Sequence, residues 1–201
     1  MLVIGITGGT GAGKTSALRA LARLGALIID CDEVYHSLLL SSDAMKAELD
    51  ARFPGVIIGG VLDRKRLGEI VFRDPAALGE LNAITHKYVS DEVDRRLAGW
   101  ERNGGTVAAI DAILLIESGI AERCNLLVGV TAPAEKRAER IIARDGVTPE
   151  YARNRIAAQK PDSFFIENCD YMLESRYDTA KEFEDECESF FTKILGGIEN
   201  A

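Results

Sequence analysis

Short apolar runs closed by glycine or a polar residue alternate along this chain with stretches whose apolar positions recur at helical spacing. Leu2-Val3-Ile4-Gly5-Ile6 carries no polar position, as a strand buried on both faces of a parallel sheet requires. Leu18, Leu21 and Ala22 then recur at helical spacing and Gly25 supplies a stop, which predicts a helix from Lys14 to Leu24. Ala26-Leu27-Ile28-Ile29-Asp30 reads as a second buried strand. Strand, helix and strand in succession predict an α/β fold with a doubly wound, mostly parallel sheet. From Asp32 to about Gly99 the strand signal fades into successive helices, broken at Pro54-Gly55, Gly59-Gly60 and Asp74-Pro75. The sheet pattern resumes at Thr106 to Asp111 and at Leu126 to Thr131. Helices follow from Ala134 to Asp145 and from Pro149 to about Lys160, then a short strand around Tyr171-Met172-Leu173 and an amphipathic helix from Lys181 to Leu195. The expected organisation is one domain over residues 1–201, with a helical insertion at 32–99 and a helical lid at 137–165.

Composition narrows the class of partner. The 201 residues, 47% hydrophobic, suffice for a substantial core, and a formal net charge of −8 opposes nucleic-acid or anionic-membrane binding, which needs a basic surface. A polyanionic ligand must then meet a local cluster of cations. The four cysteines are dispersed, and with His36 and His86 as the two histidines no zinc-ligand spacing arises. No apolar run approaches a membrane span and the first is too short for a signal peptide, so a soluble cytoplasmic protein with reduced thiols is expected.

The most specific local signal is Gly8-Gly9-Thr10-Gly11-Ala12-Gly13-Lys14-Thr15, which fits G-x-x-x-x-G-K-[ST] in every fixed position. In a chain of this length the pattern arises by chance on the order of once in a hundred. Glycines let backbone N–H groups close around phosphate oxygens, and a helix N-terminus adds partial positive charge. Gly9, Thr10, Gly11, Ala12, Gly13, Lys14, Thr15 and Ser16 are therefore the expected ATP contacts. Lys14 reaches the β/γ-phosphates and Thr15 is a ligand for Mg2+. No Asn-Lys-x-Asp segment for reading guanine is present, and a small kinase is the economical reading.

On the acceptor side, Asp30-Cys31-Asp32 closes the second predicted strand, at the sheet edge where α/β proteins bind ligands. Asp32 is the candidate base for the attacking hydroxyl; the alternative is that it merely N-caps a helix beginning at Glu33. Asp111 ends another strand, where a carboxylate can hold Mg2+ through water, or else serves a turn; Glu117 follows in the same loop. Arg137, Arg140 and Arg144 share one helix face, and Arg153 and Arg155 follow, either as a lid that neutralises transferring phosphate or as a solvated face paired with Glu135 and Glu139. His86, among Leu81, Ile84 and Val89, reads by itself as an ordinary helix histidine.

Over nearly its full length the chain resembles the dephospho-coenzyme A kinase family. The resemblance rests on Gly5 to Thr15, Asp30-Cys31-Asp32, Leu81-Asn82 with His86, Asp111 to Glu117, Arg140 with Arg144-Asp145, and Arg155 with Gln159. It implies phosphate transfer from ATP-Mg2+ to the ribose 3′-hydroxyl of dephospho-CoA, with Asp32 as base and the 32–99 segment as the CoA-binding part. It also implies His86 on the acceptor side, Arg140 in a lid facing the ATP phosphates, and Arg144 beside it. Another small-molecule kinase of the same class, or an ATP-binding regulator without turnover, are the alternatives. Against the family pattern, Ile113 and Lys87 replace prolines, Phe164-Phe165 stand where a basic residue is common, and the stretch Cys169 to Ser175 differs. These departures bear on acceptor identity and lid closure.

Overall fold

The chain opens with β1 (Leu2–Thr7), α1 (Lys14–Arg23) and β2 (Leu27–Asp30). It continues through α2 (Cys31–Ser41), α3 (Asp43–Arg52), β3 (Ile57–Ile58), β4 (Val61–Leu62), α4 (Arg64–Val71) and the long α5 (Pro75–Arg102). It then returns with β5 (Val107–Asp111), β6 (Leu126–Thr131), α6 (Ala134–Asp145), α7 (Pro149–Ala157), α8 (Asp162–Asn168), β7 (Tyr171–Glu174) and α9 (Ala180–Ile198). This computed structural model describes residues 1–112 and 114–198. The departure from the family pattern at Ile113 lies outside the described residues.

A five-stranded sheet has the order β2-β5-β1-β6-β7, and the pairings of β1 with β5, β1 with β6 and β6 with β7 are all parallel. The apolar run of β1 is explained by its place at the centre of that sheet: Ile4 and Ile6 are fully buried. They join Ala17 and Leu21 of α1, Val128 and Val130 of β6, and Phe183 and Phe191 of α9 in one core. Burying each of those phenylalanines contributes roughly 1.5–3 kcal/mol. Gly5 is required by the same packing, because a Cβ there would stand 2.6 Å from Leu127 and 2.7 Å from Leu115.

The chain divides into two compact units, one formed by Met1–Ile29 with the chain from Trp100 onward, the other by Asp30–Gly99. The second unit has its own core of Leu39, Met45, Leu49, Phe53, Val56 and Leu67, against which Tyr35, Leu81 and Ile84 pack. Its helices begin on side-chain caps. Asp30 accepts from Asp32 N and Glu33 N at the start of α2, Ser42 from Met45 N at α3, and Asp63 from Arg66 N at α4.

Two elements differ from the sequence reading. The segment read as a break between helices at Gly59-Gly60 is the turn of an antiparallel hairpin, β3 with β4, in which both glycines have positive φ (58° and 80°). Its strands are two residues long, too short for a period of two to register. Beyond Gln159 the chain forms α8, a seven-residue helix following Pro161 that the apolar pattern does not announce.

Candidate active site

At the carboxyl end of β1 the chain turns through Gly8, Gly11 and Gly13, with φ of 143°, 77° and 111°, before entering α1. Such φ values strain any residue with a Cβ, and here space forbids one as well. A Cβ on Gly8 would lie 2.2 Å from Val130 O, and one on Gly11 2.7 Å from Arg137 O. Ala12 N–H donates back to Gly9 O and Ser16 N–H to Gly13 O, closing the loop upon itself. Gly13 is the N-cap of α1; no side chain caps this helix, and its first turn has no acidic residue. Apart from the Ser16 amide, which Gly13 O takes, the start of α1 and its dipole are thus suited to an anion. Lys14, half-buried, folds its Nζ back onto Gly8 O at 3.2 Å, alongside the loop it is expected to serve. Thr15 is exposed in the first turn and Ser16 is buried beneath it.

Asp111 is in register with Ile6 on the neighbouring strand, at the same edge of the sheet as the loop. Thr15 and Asp111 offer a hydroxyl and a carboxylate, hard oxygen donors suited to Mg2+, which keeps most of its ligands as water and phosphate. No group of three or more His, Cys, Asp or Glu side chains that could cage a metal occurs among the described residues, which is compatible with so sparse a protein share. A cavity of about 400 Å³ opens beside Gly8 and Gly9, with Glu117, Gln159, Lys160 and Phe165 among its walls.

The arginines of α6 do not act as one group. Arg137 is 5% exposed. Its Nε donates to Thr10 O at 3.0 Å, its Nη2 to Gln159 Oε1 at 2.7 Å, and Asp162 lies 3.7 Å away. Arg140 donates to Gly11 O at 3.1 Å and to Ser175 Oγ at 2.8 Å, so its guanidinium supports the loop from behind. Burial lowers the pKa of both arginines from the usual value, though an arginine so placed remains charged. Arg144 instead forms a fork on Asp145 at 2.7 and 2.9 Å, joined by Arg155 at 2.8 Å. Hydrogen bonds from Arg144 first, then its charge and that of Arg155, hold the Asp145 carboxyl below its ordinary range. The partners expected of a solvated face, Glu135 and Glu139, do not make these bonds.

In the second unit, the helix after β2 begins at Cys31, two residues earlier than the sequence suggests. Its cap is Asp30, whose Oδ1 accepts from Asp32 N at 2.8 Å and Glu33 N at 3.1 Å. Asp32 is therefore relieved of the capping role and presents an exposed carboxylate in the first turn of α2. His86 is half-buried on α5, next to buried Thr85. Lys87 pairs with Glu48 at 3.0 Å, which Tyr88 also reaches at 2.7 Å; these bonds, Tyr88 first, lower the Glu48 pKa.

Two functional features escaped the sequence reading: the attachment of Gln159 to Thr10, and the burial of Arg137 against the loop. Gln159 was visible there only as part of a family pattern. Burial pushes the thiols of Cys124 and Cys187 up to about 12 and that of Cys169 to about 11, which disfavours the reactive thiolate at these three positions.

A family model described as dephospho-CoA kinase matches residues 2–180. The chain belongs to the dephospho-CoA kinase family. A dephospho-CoA kinase of Mesorhizobium japonicum is 37% identical over 175 residues, spanning 87% of this chain and 88% of that one. A solved structure from Thermus thermophilus superposes with a TM-score of 0.78 at 30% identity, covering 98% of this chain and 97% of that chain. The dephospho-CoA kinase from Campylobacter jejuni, 23% identical, shares the fold with a TM-score of 0.71, covering 97% and 98%. The α/β architecture and the kinase class thus have independent support, and among the described residues no helix is long and apolar enough to cross a membrane.

Proposed function

We propose that this chain transfers the γ-phosphate of ATP to the ribose 3′-hydroxyl of dephospho-CoA, giving coenzyme A and ADP. The observation that carries the donor half is the loop Gly8–Thr15 itself. Three glycines sterically or conformationally barred from carrying a Cβ lead into a helix with neither a side-chain cap nor an acidic first turn. The acceptor half rests on family membership.

In this reading the loop from Gly9 to Ser16 cradles the phosphates through the backbone N–H groups that remain once those of Thr10, Ala12 and Ser16 have taken acceptors within the protein, and Lys14 neutralises the β/γ-oxygens. Thr15 and Asp111 would hold Mg2+, which would supply charge neutralisation for the phosphates. Asp32 orients the 3′-hydroxyl and accepts its proton as the new P–O bond forms and ADP departs; its exposed position after the Asp30 cap supports that role. His86 belongs to the acceptor-binding part, residues 32–99, and the helices over 137–165 act as the lid. Arg140 acts from there through the loop carbonyls it already holds, and Arg144 would have to leave Asp145 to reach the phosphates. A supply of ATP as donor argues for a cytoplasmic setting.

The test is ADP release from purified protein with ATP-Mg2+, with and without dephospho-CoA, against adenosine, AMP and shikimate, with product mass measured. Turnover confined to dephospho-CoA, with a product one phosphate heavier, is expected. Turnover with another acceptor would assign the departures at Lys87, Ile113 and Phe165 to a changed substrate. ATP binding without ADP release under any condition would make the chain a regulator.

A further inference from the structure

The apex of the phosphate loop is gripped from outside by two side chains distant in sequence. Gln159, just past α7, meets Thr10 twice. Its Oε1 accepts from Thr10 N at 2.9 Å, and its Nε2 donates to Thr10 Oγ1 at 2.6 Å. Arg137 completes the ring, with Nε donating to Thr10 O at 3.0 Å and Nη2 to that same Gln159 Oε1 at 2.7 Å. The N–H, the carbonyl and the hydroxyl of Thr10 are therefore all engaged. The neighbouring residue is constrained by the same pair: a Cβ on Gly9 would stand 2.1 Å from Arg137 Nη2 and 2.9 Å from Gln159 Oε1.

One hydrogen bond would suffice to tether a helix to a loop. Four bonds in a closed ring fix the peptide planes on both sides of Thr10, and the planar fork of a buried arginine removes the remaining freedom of Gln159. A loop that binds phosphate through its backbone depends on those planes, because binding weakens when part of the interaction must first order the site. We infer that Gln159, locked by Arg137, is a positioning residue for the phosphate loop, setting the peptides around Thr10 before nucleotide arrives. Its effect falls on ATP affinity rather than on the chemical step. The inference rests on the reading of the loop as an ATP site.

Calorimetric titration with ATP-Mg2+ tests it directly. Gln159→Ala should raise the ATP Kd about tenfold, the order expected for losing hydrogen bonds of this kind, and raise KM for ATP in parallel while kcat stays within about threefold. Arg137→Lys keeps the charge and loses the fork, and should act in the same direction. Together the two should weaken binding by less than the product of their separate effects, since both act through Thr10. If Arg137→Lys does not fold, Thr10→Val, which deletes only the hydroxyl partner, takes its place in the cycle. An unchanged ATP Kd in Gln159→Ala, with only a lowered melting temperature, would reduce the ring to a structural tie and overturn the inference. So would effects that multiply independently, or a loss confined to kcat. Failure of the underlying reading is distinguishable, because the unaltered protein would then bind no ATP.

Discussion

Helix α1 of the first unit and helices α2, α3 and α4 of the second are started in opposite ways. In the second unit α2, α3 and α4 each open on an Asp or Ser whose side chain accepts a backbone N–H. In the first, α1 opens on Gly13 with no side-chain cap. The glycines of the loop after β1 and those of the β3–β4 hairpin differ in a parallel way. Gly8 and Gly11 press against Val130 O and Arg137 O, whereas at Gly59 and Gly60, also of positive φ, an added Cβ would meet nothing within 4 Å. Side chains cap the starts of α2, α3 and α4. At α1 no side chain does so, and backbone crowds the glycines that lead into it, so under the proposed function phosphate recognition there would rest on main-chain geometry. The functional candidates of the second unit, Asp32 and His86, are side chains standing on an already completed scaffold.

That contrast can be broken in order of effect. Lys14→Ala should cut turnover by about 10³-fold or more with little change in melting temperature, because the loop's charge is lost and its fold is not. Gly8→Ala should destabilise the protein by about 3 kcal/mol or more in denaturant titration, from overpacking against Val130 O plus backbone strain. Gly60→Ala, strained but uncrowded, should cost about 1–2 kcal/mol. Equal losses at the two glycines would erase the distinction. Asp32→Asn should lower kcat by about 10²-fold and spare ATP affinity; near-normal kcat would remove it as base. Asp30→Ala removes the α2 cap and should cost about 1 kcal/mol of stability by denaturant titration.

The smallest effect is a pH dependence in the second unit. Hydrogen bonds from Arg95, then Arg96, bring the Glu92 carboxyl down to about 2 from 4.5. Since its folded pKa lies below the unfolded one, the stabilisation is complete above about pH 4.5 and fades as pH falls towards 2. The pair is partly solvated, so Glu92→Gln should remove less than about 1 kcal/mol at pH 7 and flatten the acid limb of the stability profile in that window. An unaltered acid limb would show that Glu92 titrates alike in the folded and unfolded chain.

Strands β1, β5 and β6 and the glycine turn into α1 were legible because their signals are local: unbroken apolar runs and fixed glycine spacing. The β3–β4 hairpin was not, since two-residue strands carry no readable period. The alternative in which Asp32 caps a helix from Glu33 fails because β2 passes into α2 without a loop and Asp30 takes the cap. The ring on Thr10 joins residues 127 and 149 positions apart, and no local pattern can encode such a pairing. What the arginine spacing revealed was a shared helix face. It gave no sign that Arg137 would be buried while Arg144 turned aside to Asp145.

The place of β1 at the centre of the sheet has a consequence for biosynthesis. This strand leaves the ribosome well before the residues it pairs with, which begin at Val107 and Leu126. Residues 30–99, with a core formed within their own span, emerge complete before either partner strand does. Closing so long a separation carries a loop-entropy penalty that delays the pairing further. The loop Gly8–Thr15, which leans on Val130 and Arg137, thus cannot be completed until both have emerged, and a nascent chain arrested before β6 carries the motif in its sequence without those supports.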